Sequence, residues 1–86
     1  MKSTQEKLDE IKIKLDNDFA TYSIIDTEIS IYVYNIYYHI NVRSTTPEFW
    51  NRLIKNNLAI YDMYSIDDTI TLFIFVGDIR ELFKGD

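Results

Sequence analysis

The chain's one histidine, His39, stands in the run TEISIYVYNIYYHINVRS, residues 27–44, with Ser30 and Glu28 upstream of it. A serine, a histidine and an acid are the residue types of nucleophilic hydrolysis, provided the imidazole reaches the hydroxyl and the acid orients the imidazole. If the run folds back on itself, Ser30 comes opposite His39 and Glu28 lies two residues further along. No nucleophile-elbow glycines accompany Ser30, so His39 reads as a residue of a strand surface and no catalytic residue is assigned. His39 also lacks a cysteine or second histidine with which to share a metal. Asp16, Asn17 and Asp18 open like a calcium loop, but no glycine holds the sixth position and Thr27 occupies the twelfth, where a bidentate glutamate belongs. Asp67 and Asp68 are adjacent, which in a turn points carboxylates apart rather than into one acid–base site. Gly77 and Gly85 are isolated, so neither a phosphate-cradling loop nor a dinucleotide fingerprint is present. No cofactor, no metal and no enzymatic activity are expected.

The elements that would position these residues follow from periodicity and capping. Ser3 and Glu6 have capping-box spacing, and Leu8, Ile11, Leu15 and Phe19 recur at helical intervals, which predicts a helix over about 4–17. Thr46 as N-cap, Pro47 behind it and Glu48 in the first turn open a second helix that buries Phe49 and Leu53, with Trp50 and Ile54 beside them, and ends at Asn56 and Asn57. Asp78 and Glu81 repeat the capping-box spacing before Gly85, so residues 79–84 read as a short third helix. Between the first two helices the apolar phase flips from odd (Ile29, Ile31, Val33) to even (Ile36, Tyr38, Ile40, Val42). One flat strand cannot bury both sets, so a turn at Tyr34 and Asn35 is expected. A second turn at Asp26 and Thr27 would pair Ile24 with Ile29 and complete a three-strand meander. Residues 58–66 and 69–76 read as a hairpin about Asp67 and Asp68, apolar on both faces. The expectation is one α+β domain over 1–86, in the order α-βββ-α-ββ-α. It has one mainly antiparallel sheet of about five strands, with the first and third helices on its apolar face.

Composition limits what such a domain does. With 86 residues, 47% hydrophobic and 27% charged, two glycines, one proline and no cysteine, the chain has the make-up of a single small globular core. The charged N-terminus is unlike a signal peptide, and the longest uncharged run is too short to span a bilayer, so a soluble, cytoplasmic protein without membrane contact is expected. The net charge of −5, concentrated in the C-terminal third, opposes general nucleic-acid binding. It also suits, as one alternative, an acidic mimic of DNA.

Tyrosines are the most informative surface residues. Tyr32 and Tyr37 are expected to face each other away from the core, with His39 and Arg43 along the same strand. A second candidate surface is Ile60, Tyr64, Phe73 and Phe75 on the last hairpin. Tyrosine suits interfaces because it buries a large area at low rotamer entropy while keeping a hydroxyl to hydrogen-bond. The reading is a non-enzymatic, small acidic module that occludes a partner protein, as inhibitors, immunity proteins, antitoxins and phage antagonists of host defence do. Richness in Ile, Asn, Tyr, Lys and Asp would suit a low-GC bacterium or its phage. The order of elements over the whole chain resembles that of the small acidic type III secretion chaperones. That resemblance implies a homodimer holding an unfolded segment of another protein.

Overall fold

The computed structural model describes residues 2–84. Helix α1 (Thr4–Asp18) begins where its capping box predicts: Ser3 Oγ accepts from the Glu6 N–H, and the Glu6 carboxylate accepts from the Ser3 N–H. Strands β1 (Ile24–Tyr32) and β2 (Asn35–Val42) follow, then helix α2 (Pro47–Lys55), strands β3 (Ala59–Ile66) and β4 (Thr69–Asp78), and a closing 3-10 helix (Ile79–Phe83). Helix α2 starts with the Thr46 hydroxyl accepting from the Phe49 N–H and Pro47 in its first turn, as its sequence requires. The α+β class and the antiparallel sheet agree with the sequence.

The sheet has four strands in the order β1-β2-β4-β3, all antiparallel. The five-strand expectation fails at Asp26 and Thr27, which do not turn. β1 runs through them as one strand because neighbours satisfy both side chains. Asn41 donates to Asp26, and Thr27 donates to Asp16 at 2.7 Å. An irregularity between Ile24 and Asp26 absorbs the phase change that suggested a hairpin. Residues 20–22 form a turn instead of a strand. The α-βββ-α-ββ-α order on which the secretion-chaperone resemblance rests is therefore not the order observed.

The next hairpin is present, with its loop one residue earlier than expected, at Val33 and Tyr34. Ile31 pairs with Ile36 and Ile29 with Tyr38. The slip amounts to two residues in register, and because strand side chains alternate with period two, every residue keeps its expected face. The last hairpin turns at Asp67 and Asp68 as expected, with Asp67 at a φ of 55°. The third helix is one turn of 3-10 helix in which Asp78 accepts from the Arg80 N–H at 2.8 Å; Gly85, expected to cap it, lies outside the described residues.

Both α-helices pack on one face of the sheet. Leu15 and Phe19 of the first helix and its C-cap, with Phe49 and Leu53 of α2, meet Tyr38, Ile40 and Val42 of β2 and Leu72 and Ile74 of β4. The expectation that the first and third helices cover this face is corrected here: α2 takes that place beside α1. Phe49 is fully buried against Phe19, ring centroids 5.4 Å apart. Only Ile54 of its expected apolar stripe points to solvent. Tyr38 lies under Asp16, which accepts its hydroxyl at 2.6 Å and pairs with Lys12 at 2.8 Å. The head of the failed calcium pattern is thus a buried tyrosine's hydrogen-bond acceptor.

Candidate protein-binding surface

Because Tyr38, Ile40 and Val42 face the helices, the alternate residues Tyr37, His39 and Asn41 face away from them. Across β4 their partners are Phe75, Phe73 and Thr71, and across β3 the row continues to Asp62 and Tyr64. No helix covers this face among the described residues. Its rings nonetheless form an ordered layer. Tyr37 sits 5.0 Å from Tyr61 and 6.1 Å from Phe75, His39 packs edge-on against Phe73 at 4.3 Å, and Tyr64 lies 5.9 Å from Phe73. Tyr37, although on the open side, is only 8% exposed, roofed by Tyr61 and Phe75. The two candidate surfaces of the sequence thus merge: Tyr37, His39, Tyr64, Phe73 and Phe75 share one face.

Three expected members stand apart from that layer. Tyr32 is on the same side of the sheet but pairs with Asn35 rather than opposing Tyr37, and projects into solvent at the hairpin end. Arg43 lies in the bend just past the far end of β2, roughly 27 Å of strand away from Asn35. Ile60 is opposite Ile74 and so belongs to the helix side. A bulge explains that swap. The register shifts between Ile60 and Asp62, which rotates Ile60 toward the helices and sends Tyr61 onto the open face. Tyr61 was missed from sequence because strict alternation places it with Met63. No residue type in the stretch signals the bulge.

The polar residues of the face make their bonds with one another. Ser30 Oγ and His39 Nε2 are 2.8 Å apart, so the fold does bring the serine and the histidine together. Glu28 is His39's cross-strand neighbour, yet the ring's one hydrogen bond runs to Ser30, and its flank is taken by Phe73. Thr71 donates to Asn41 at 2.6 Å and Asn41 to Asp26, forming a chain across three strands beside a shallow polar hollow of about 250 Å³. Among the described residues no buried side-chain nitrogen or oxygen lacks a hydrogen-bond partner, and no three His, Asp or Glu side chains converge as a metal site would need. What the arrangement offers chemically is a flat aromatic surface with an acidic rim of Asp26, Glu28 and Asp62, all exposed.

No protein-family model, no curated protein and no solved structure matches this chain. No helix among the described residues is long and apolar enough to cross a membrane.

Proposed function

We propose that this chain is a non-enzymatic protein-binding module and that the open sheet face is its contact surface. The observation that carries the reading is that both α-helices cover one side of the sheet while the other side presents an uncovered layer of Tyr37, Tyr61, Tyr64, Phe73 and Phe75. Aromatic groups held rigid by each other lose little entropy on binding, which is why such residues dominate interface energetics. The acidic rim selects a partner surface that is apolar at its centre and basic around it. The mode of action is occlusion: a preformed face that covers a working surface of another protein in the cytoplasm, as inhibitors, immunity proteins, antitoxins and phage anti-defence proteins do.

The test is affinity capture with the wild-type chain and with Tyr61→Ala/Phe75→Ala side by side. These two positions are exposed enough to be replaced without opening the core. A prey retained by the wild type and lost by the folded variant, with at least a hundredfold weaker binding once purified, supports the reading. If every prey binds both proteins equally, the open face is not the contact surface.

A further inference from the structure

Strand β3 forms one edge of the sheet, and all eight of its residues are exposed. Edges are usually blunted with lysine or proline, yet from residue 56 to 79 the chain has no Lys, Arg or Pro. The ladder fixes which backbone groups face outward. The two-residue loop at Asp67 and Asp68 makes Ile66 and Thr69 a hydrogen-bonded pair, so Tyr64 and Asp62 bond toward β4 while Ser65 and Met63 turn their N–H and C=O groups away from it. In keeping with this, the Met63 N–H donates to the Asp62 carboxylate at 2.9 Å.

We propose that β3 pairs with β3 of a second copy, antiparallel about a two-fold axis at Tyr64, joining two sheets into one of eight strands. Parity sets the register. Only Met63 and Ser65 offer outward groups within the straight segment, so Met63 of each copy falls opposite Ser65 of the other, clear of the bulge at Tyr61. The occupant follows from what lies beside Ser65. On the helix side an apolar groove of about 360 Å³ runs between Trp50, Met63, Ser65 and Ile70, open because the serine is short. The second copy's Met63 stands directly over it, and the flexible thioether fills such gaps well. The symmetry makes this contact twice. Charge fits as well: the acidic turn of each copy extends to the Ala59 end of the other, which follows the last turn of α2 with Arg52 and Lys55. The two open faces then lie on the same side and form one continuous contact surface.

Five residues from each copy make a small contact compared with a standard interface, so the dimer forms with a Kd of about 10–100 μM. Sedimentation equilibrium of the full chain from micromolar to millimolar concentration reads this directly. The mass is expected to rise from 10.3 kDa toward twice that value. Ser65→Lys puts a charge into the groove and holds the protein monomeric throughout. Asp62→Ala removes the acceptor that holds the Met63 N–H and tightens the dimer several-fold. A wild type that stays monomeric at millimolar concentration leaves β3 to a foreign strand and overturns the proposal. So does a dimer that Ser65→Lys and Met63→Ala both leave unchanged. Should Ser65→Lys fail to fold, a mixed-label wild-type sample decides by NMR: no intermolecular contact between the Met63 methyl and the Trp50 ring in a formed dimer is equally fatal. Tyr61 and Phe75 lie off the paired segment, so the outcome is separable from partner capture.

Discussion

Asp16 accepts from Tyr38, Thr27 and Lys12, and through them ties α1 to two strands. Burial alone would push its carboxyl up, but these three donors outweigh burial and hold the group below the ordinary carboxylate value. Burial, and then the bond to Asp16, push the Tyr38 hydroxyl well above the ordinary tyrosine value. Asp16→Ala leaves the buried hydroxyl without an acceptor and is expected to cost about 1–3 kcal/mol in urea unfolding. The pH dependence has a definite sign. A carboxyl whose folded pKa is depressed contributes stability above its unfolded value, near 3.9, and loses it as pH falls through the folded value. Asp78 behaves likewise, held at about 2 by the hydrogen bonds from Arg80, but that pair is exposed and salt screens it. Wild type should therefore weaken below about pH 4, and Asp16→Asn should weaken less over the same range. At this scale the caps Ser3, Glu6, Thr46 and Pro47 were legible, because capping depends on neighbours in sequence. The role of Asp16 was not, because its partners lie 11 and 22 residues away.

Elements were legible where local chemistry decides them and misread where long-range pairing does. The Asp67–Asp68 turn and both α-helices follow from turn and capping residues. The merging of two expected strands into β1 does not, since Asp26 and Thr27 look like a turn until Asn41 and Asp16 are seen to hold them. The loop between β1 and β2 is the least expected. Val33 takes a φ of 60°, a left-handed conformation that β-branched residues avoid, and its side chain is exposed. The strong apolar register of Ile36, Tyr38 and Ile40 imposes the turn on a residue unsuited to it. Val33→Gly relieves that strain at an entropic cost, with a net gain of roughly 1 kcal/mol. In a domain this size the midpoint of thermal unfolding should rise by about 4–8 °C. An unchanged or lower Tm would mean that the Val33 side chain contributes packing that offsets its backbone strain.

The whole molecule is more extended than its mass requires. Its surface of 5796 Å² exceeds the roughly 5,350 Å² typical of a monomer of this size, and its radius of gyration of 13.3 Å exceeds about 12 Å. The excess has a structural origin: a four-stranded sheet is covered on one side only, and β3 lies beyond the cover. The sequence hinted at this, because the last hairpin is apolar on both faces and few segments remained to cover it. It could not say which face stays open, since that depends on β4 entering between β2 and β3. If the open aromatic layer is a contact surface, removing it should cost the fold little. Tyr61 is 68% exposed and Phe75 36%, so Tyr61→Ala/Phe75→Ala forfeits partial burial and two ring contacts, about 1–2 kcal/mol together. Phe49→Ala, at a fully buried site on the helix side, should cost about 3–5 kcal/mol. Urea unfolding of the three proteins makes the comparison. A double variant as damaged as Phe49→Ala would mean that the open layer is a second core serving stability, and the reading of that face as a surface for another protein would fall.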